Sequence, residues 1–232
     1  MTTASAPSPS PFALPDVSGL VVGVLGGTGE QGRGLALRLA AAGQQVVIGS
    51  RDAARAVDAA EQIGHGVRGA DNRACAQAAE VVIVAVPYEG HRELVAGLAD
   101  VLVGRIVVDC VNPLGFDKQG AFALDVPEGS AAQQAAALLP AARVVGAFHN
   151  VSAVMLLDAS VASLDCDVLV LGDDREATDV VQALASRIPG MRGVYGGRLR
   201  NARQVEALTA NLISVNRRYK THASLGITGV AP

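Results

Sequence analysis

A glycine-rich turn between an apolar run and a helix-forming run constrains this sequence more than any other feature. Residues 20–25 are mostly β-branched and apolar, and they predict a buried strand. Gly27, Gly29 and Gly32 follow at the G-x-G-x-x-G spacing, and residues 34–42 then favour a helix. This order predicts a dinucleotide-binding unit, because the turn and the helix N-terminus offer free N–H groups to a pyrophosphate.

Each glycine of the turn has a predicted role. Gly27 permits the tight turn, Gly29 lets the backbone approach the pyrophosphate, and Gly32 lets the helix pack close to the strand. Thr28 adds a hydroxyl donor. The alternative is a glycine-rich turn without a ligand, but the spacing on the first strand of an α/β chain favours binding. The predicted phosphate-binding segment is Gly27, Thr28, Gly29, Glu30, Gln31 and Gly32.

The end of the second predicted strand distinguishes NADP from NAD. An NAD enzyme usually places Asp or Glu there, about 20 residues past the turn, to bind the ribose 2′-hydroxyl. Here the strand ends in Ser50 and Arg51, which favour a 2′-phosphate through charge-assisted hydrogen bonds. Arg55 lies one helical turn after Arg51 if Asp52 caps a helix. The tip predicts NADP; the alternative is an ordinary solvated helix start.

Strands and helices alternate along the chain, which predicts an α/β fold with a Rossmann-type, doubly wound parallel sheet. Residues 1–18, rich in Ala, Ser and Pro, predict a disordered tail without the features of a secretory signal. We expect an NADP-binding Rossmann domain over residues 19–149 and a small C-terminal α/β domain over residues 150–232. Residues 112–130 are expected to form a loop.

In such a sheet the ligand crevice lies at the carboxyl ends of the strands. Residues 81–86 predict the clearest buried strand, and Val86 and Pro87 at its end would pass under the middle of the dinucleotide. Tyr88 and His91 are candidates to touch the ligand, with plain packing or surface roles as the alternative.

Composition excludes several classes of function. The net charge is −3 without a basic block, so nucleic-acid binding has no electrostatic support. No apolar segment approaches the ~18 residues that span a bilayer. The three cysteines are widely spaced and predict reduced thiols in a cytoplasmic protein, with no disulfide framework and no metal site.

Several segments together resemble one family, the F420-dependent NADP oxidoreductases. They are the glycine turn with its helix, Ile48-Gly-Ser-Arg51, Val86-Pro-Tyr-Glu89, Gly172-Asp-Asp174 and residues 199–209. The resemblance implies a homodimer of a Rossmann domain and a small C-terminal domain that completes the deazaflavin crevice and the dimer interface. It also implies reversible hydride transfer between NADP(H) and the deazaflavin coenzyme F420.

The resemblance also implies roles for individual residues. Thr28, Ser50, Arg51 and Arg55 would bind the NADP phosphates. The segment that lines the nicotinamide and the deazaflavin would include His149, Asn150, Val151 and Ala153. Asn150 replaces a Thr of the family, and Ser152 replaces a Pro. No catalytic residue is assigned, because the two cofactors supply the reacting carbons. The alternatives are an NADP-dependent reductase of a small imine or ketone, and a non-enzymatic NADP sensor.

Overall fold

The computed structural model describes residues 13–230. The strands are Val21–Leu25 (β1), Gln45–Ser50 (β2), Arg68–Asp71 (β3), Val81–Val84 (β4), Ile106–Asp109 (β5), Leu114–Asp117 (β6), Gly120–Ala123 (β7), Arg143–Gly146 (β8), Cys166–Gly172 (β9) and Met191–Gly197 (β10). The helices are Glu30–Ala41 (α1), Ala53–Ile63 (α2), Asn72–Ala78 (α3), Tyr88–Gly97 (α4), Ala131–Leu138 (α5), Ala153–Leu157 (α6), Arg175–Arg187 (α7) and Ala202–Tyr219 (α8). None of the described helices is long and apolar enough to cross a membrane.

Eight of these strands form one sheet in the order β10-β9-β8-β5-β4-β1-β2-β3. The strands from β8 to β3 are parallel, and β1 lies between β2 and β4. Because the chain runs outward from β1 in both directions, the point where the order reverses lies between β1 and β4. The predicted doubly wound, Rossmann-type α/β fold is confirmed.

Helices cover both faces of the sheet. On one face α1, α2 and α7 pack against the strands through side chains such as Leu35, Leu39 and Leu184. On the other face α3, α4 and α5 contribute Cys75, Val95 and smaller residues. The strands between these two layers are buried on both faces, which explains their continuous apolar runs.

One strand pair of this largely parallel sheet is antiparallel. β9 runs antiparallel to β8, with Val145 opposite Gly172, and β10 then pairs in parallel with β9. The predicted loop over residues 112–130 is wrong in part, because it contains the antiparallel hairpin β6–β7. Asp117 closes the hairpin turn by accepting hydrogen bonds from the backbone N–H groups of Gln119 and Gly120.

The C-terminal part of the chain continues the sheet of the N-terminal part. β9 and β10 extend that sheet, and the side chains of β9 lie in the same buried cluster as those of β1. A boundary after residue 149 therefore crosses a continuous sheet, and the proposed division into two domains stays a prediction.

Most of the predicted N-terminal tail, residues 1–12, lies outside the described residues. Of the remainder, Val17 is buried and belongs to the core cluster. The side-chain amide of Gln44 donates to the carbonyl oxygens of Val17 and Leu20, which fixes the entry into β1.

Candidate active site

The carboxyl ends of β1, β2, β4, β5 and β8 lie side by side along one edge of the sheet and form the candidate crevice. The glycine turn follows β1, and Arg51 follows Ser50 at the end of β2. Val86 and Pro87 follow β4. The segment from Ala147 to Ala153 follows β8 and leads into α6. The topology thus brings all four predicted site segments to one edge.

Two glycines of the turn are required by the packing of the protein itself. A Cβ on Gly27 would lie 2.5 Å from the Cβ of Ile48, on the neighbouring strand β2. A Cβ on Gly32 would lie 2.6 Å from the carbonyl oxygen of Gly26, so α1 sits directly on the turn. Gly26 itself has a φ of 76°, in the left-handed region that favours glycine.

Gly29 differs from these two. Its φ of −81° is open to any residue, and a Cβ there would meet only the carbonyl oxygen of Gly26, at an ordinary 3.4 Å. Gly29 is exposed, and it stands at the N-terminus of α1. Within residues 13–230, the N–H groups of Glu30 and Gln31 have no protein acceptor. The fold thus leaves open space and free donors at Gly29, as a close-lying phosphate would need.

The tip of β2 carries the hydroxyl and guanidinium groups that the sequence predicted there. Ser50 is nearly buried at the end of the strand, and its hydroxyl accepts from the N–H of Asp52. Arg51 and Arg55 are exposed, and neither forms an ion pair with a described residue. The carboxylate of Asp52 caps α2 by accepting from the N–H groups of Ala54 and Arg55. Asp52 is therefore engaged by the helix, and the two guanidinium groups are available to an anion.

Pro87 is exposed and Val86 is half-buried at the end of β4, beside the turn. The suggestion that His91 touches a ligand is wrong. Its side chain is fully buried, with Nε2 2.6 Å from Asp109 Oδ2 and Nδ1 3.0 Å from Gln134 Oε1. Burial lowers the pKa of His91, but the hydrogen bonds and charge of Asp109, together with Gln134, raise the pKa above its usual value on balance.

The segment after β8 is held in place from two sides. The carbonyl oxygen of His149 accepts from Asn112 Nδ2 at 2.9 Å and from Thr209 Oγ1 at 3.0 Å. Asn150 Nδ2 donates to Thr209 Oγ1 and to the carbonyl oxygen of Val205, both on α8. Phe148 adopts a φ of 64°, an unusual conformation for a bulky residue. Such strain persists only where the surroundings fix it.

The imidazole of His149 is buried beneath this segment. Neither ring nitrogen has a well-formed hydrogen bond to a described residue, although the backbone of Val111 makes a weaker polar contact. Burial lowers the pKa of His149 to about 4, against the opposing charge of Asp109. His149 is therefore neutral at pH 7 and is not an acid there.

Sequence reasoning missed Arg38, whose guanidinium group on α1 holds the end of α6. It donates to the carbonyl oxygens of Met155, Leu156, Asp158 and Val161 at 2.6–2.9 Å. Nothing in the local sequence marks Arg38, because its partners lie more than 110 residues away along the chain. This contact fixes α6, which follows the His149 segment, to the helix that follows the glycine turn.

Sequence reasoning also missed Glu206, although it lies within residues 199–209, one of the segments that resemble the family. It lies on α8 and is 2% exposed, and its two carboxylate oxygens accept from the N–H groups of Ala131 and Ala132 at the start of α5. Burial, opposed by these hydrogen bonds and reinforced by the charge of Asp109, raises the pKa of Glu206 to about 7.

This buried carboxyl predicts a pH-dependent stability. Its pKa rises on folding from 4.5 to about 7, so between these values the folded state holds a proton that the unfolded state has lost. Stability therefore falls as pH rises through this window, by on the order of 3 kcal/mol. We expect Glu206→Gln to remove this decline, so that urea unfolding at several pH values shows the variant gaining on the wild type as pH rises. Glu61→Gln, on the exposed side of α2, is the control. A pH-independent difference between Glu206→Gln and wild type would contradict the assignment.

Comparison with known proteins identifies the family. A family model described as NADP oxidoreductase, coenzyme F420-dependent, matches residues 21–113. The F420-dependent NADP reductase of Methanothermobacter marburgensis is 41% identical over 206 residues, which cover 84% of this chain and 92% of that protein. The corresponding reductase of Methanocaldococcus jannaschii is 39% identical over 212 residues, covering 86% and 94%.

The fold comparison agrees with this result. The crystal structure of a candidate F420-dependent NADP-reductase from Arthrobacter sp. FB24 superimposes with a TM-score of 0.76 at 28% identity, and the match covers 90% of this chain and all of that one. Similarity in sequence and fold therefore extends over nearly the whole length of these proteins, so this chain belongs to the family of F420-dependent NADP reductases.

Proposed function

We propose that this protein catalyses reversible hydride transfer between NADP(H) and the deazaflavin coenzyme F420. The observation that carries this proposal is the 41% identity to an F420-dependent NADP reductase over 92% of that enzyme's length. The family model, which matches residues 21–113, includes the glycine turn and the ends of β1, β2 and β4.

The geometry of the β1–β2 side fits NADP. The open position at Gly29 and the free N–H groups at the start of α1 would hold the pyrophosphate. Ser50, Arg51 and Arg55 would hold the 2′-phosphate, and Asp52 does not oppose it because α2 engages its carboxylate.

The β4–β8 side would receive the two rings. Val86, Pro87, Val151 and Ala153 offer apolar or small side chains there, and α8 fixes the backbone of His149 and Asn150. The two cofactors, when bound, would supply the donor and acceptor carbons of the hydride, and these carbons would need to approach to about 3–3.5 Å. The protein orients the rings and excludes water. The residues from 150 onward, predicted as the C-terminal domain, would complete the deazaflavin side.

Reduction of F420 by NADPH consumes one proton. His149 belongs to the segment proposed to line the rings, but its pKa of about 4 leaves it without a proton to give at pH 7. We therefore assign no catalytic acid, and solvent would supply the proton to the deazaflavin ring. The backbone carbonyl of His149, held by Asn112 and Thr209, would fix the segment proposed to line the rings.

A cytoplasmic location fits the thiols. Cys75, Cys110 and Cys166 are buried and unpaired with one another. Burial raises the pKa of each thiol, to about 12 for Cys75 and about 11 for Cys166. Thiols in this state are poor nucleophiles and serve as small core residues.

The activity is tested by mixing the purified protein with NADPH and oxidised F420 and following the loss of the deazaflavin's visible absorbance. We expect rapid bleaching with this pair and little with NADH, FMN or FAD. NADPH binding without bleaching would overturn the proposal. In that case the next hypotheses to test would be an NADP-dependent imine or ketone reductase and an NADP sensor.

The phosphate sites predict two different nucleotide profiles. Arg51→Ala combined with Arg55→Ala should weaken the binding of NADPH by about 1.5–3 kcal/mol and leave the binding of NADH nearly unchanged, because only NADPH carries the 2′-phosphate.

Gly29→Ala should weaken the binding of both nucleotides, because its Cβ would meet the shared pyrophosphate while the protein itself has room for it. Fluorescence titration with each nucleotide measures both profiles. Equal losses of NADPH and NADH in the arginine variant would remove the 2′-phosphate assignment.

We also propose that the protein is a homodimer that pairs through α8 and the hairpin β6–β7. These two elements pack against each other and expose large apolar side chains. The exposed fractions are 70% for Phe116, 45% for Phe122, 37% for Val215 and 73% for Tyr219. We propose that these side chains lie in the dimer interface, because contiguous exposed apolar surface typically marks a site of protein interaction.

Phe116→Glu combined with Tyr219→Glu should dissociate this dimer, because a second copy would bury the new carboxylates without partners. Sedimentation velocity would then show a monomer. Val103→Glu is the control, since Val103 is 59% exposed but belongs to neither element. A wild-type protein that sediments as a monomer would contradict the proposal directly.

A further inference from the structure

Asn72 lies beside the tip that we assign to the 2′-phosphate. β2 pairs with β3 in parallel, and the register places Ser50 opposite Asp71. Asn72 follows Asp71 directly, so the backbone of Asn72 stands next to the Ser50–Arg51 tip. Helix α2 packs closely against β3. A Cβ on Gly69 of β3 would lie 2.3 Å from the backbone of Ala56, the residue after Arg55.

The space for the Asn72 side chain exists because residue 49 is a glycine. A Cβ on Gly49 would lie 2.8 Å from Asn72 Oδ1 and 3.2 Å from Asn72 Cα. The φ of Gly49 is not in the left-handed region, so its backbone does not require glycine. The missing side chain at position 49 thus lets the Asn72 amide lie against the C-terminal end of β2.

The folded chain does not use this amide. Asp71, not Asn72, caps α3 by accepting from the N–H of Ala74 at 2.9 Å. Asn72 Oδ1 is buried and has no hydrogen-bond partner in the described part of the chain. The Nδ2 end donates to no acceptor among residues 13–230 and is not among the buried atoms left unpaired, so it reaches solvent. The exposed Nδ2 donor is therefore free to bind an acceptor outside the protein, whereas the buried Oδ1, itself an acceptor, would gain nothing from a phosphate.

We propose that Asn72 is a further specificity-determining residue for NADP, whose side-chain amide donates a hydrogen bond to the 2′-phosphate. This inference rests on the proposed function of the β2 tip. Ser50 and Arg51 would hold the phosphate from the end of β2, Arg55 from α2, and Asn72 from the end of β3. An N–H donor to a phosphate oxygen is charge-assisted, and it discriminates against a ribose hydroxyl that carries no charge.

The test is binding of NADPH and NADH to Asn72→Asp and Asn72→Ala, measured by nucleotide fluorescence without F420. Asn72→Asp preserves the shape of the side chain and adds a carboxylate, so it should weaken NADPH at least about tenfold through repulsion and change NADH by less than about twofold. Asn72→Ala should weaken NADPH by several-fold, again with NADH nearly unchanged. Both residues are accepted at the start of a helix, so both variants should fold.

Gln77→Glu is the matched control, because it makes the same amide-to-carboxylate change on the same helix at an exposed position. It should leave both nucleotides unaffected. Equal weakening of NADPH and NADH in the Asn72 variants, or no weakening at all, would overturn the inference. Because F420 is absent from this experiment, a protein that fails to bleach F420 but shows the NADPH-specific loss would refute the proposed activity and leave the role of Asn72 intact.

Discussion

The close approach of the turn after β1 to the end of β4 and to β2 is the constraint on which the crevice depends. A Cβ on Gly26 would lie 2.4 Å from the carbonyl oxygen of Ala85, and one on Gly27 would lie 2.5 Å from Ile48. The turn is thus wedged between the two neighbours of β1. Because the chain runs outward in both directions from β1, this wedge sits where the strand order reverses, and the start of α1 is directed to that point. Gly29, the one glycine of the motif with free space around it, is then the position of the turn that is open to a phosphate.

A second constraint comes from α8, which fixes the other side of the crevice. Thr209 and Val205 bind His149 and Asn150, and one turn away Glu206 closes the start of α5. The same helix therefore fixes both the segment after β8, which we propose to line the rings, and the start of α5. Arg38 does the same from the α1 side by holding the carbonyl oxygens at the end of α6. The segment from His149 to Ala153 is positioned by contacts between distant parts of the chain, not by its own local sequence.

This difference explains what the sequence could predict. The glycine turn, the apolar strands and the cap at Asp52 depend on neighbours within a few residues, and their signals are local. β10 has the sequence Met-Arg-Gly-Val-Tyr-Gly-Gly, in which three glycines hide a strand that pairing with β9 creates. An ion pair between Arg192 and Asp167 joins those two strands. α6 is five residues long and carries no periodic signal, and the antiparallel direction of β9 leaves no trace in its apolar run. The sequence could not decide between ligand contact and packing for His91, because its partners, Asp109 and Gln134, are 18 and 43 residues away.

The charge along the crevice differs between its two ends, and each end suits a different part of the proposed ligands. At the β2 end, Arg51 and Arg55 form no ion pair within residues 13–230, and their guanidinium groups and the start of α1 make the environment positive, which suits phosphates. At the β8 end, burial keeps His149 uncharged, and the charge of Asp109 is paired with His91 beneath the floor. A neutral site at the rings would bind the oxidised and the reduced nicotinamide with more similar affinity than a charged site would. A cation under the rings would oppose the positive charge that the nicotinamide gains when it gives up the hydride, and an exposed anion would hold that charge too firmly. A reversible transfer needs neither, so the paired and buried arrangement of the titratable groups is itself part of how this fold suits the proposed reaction.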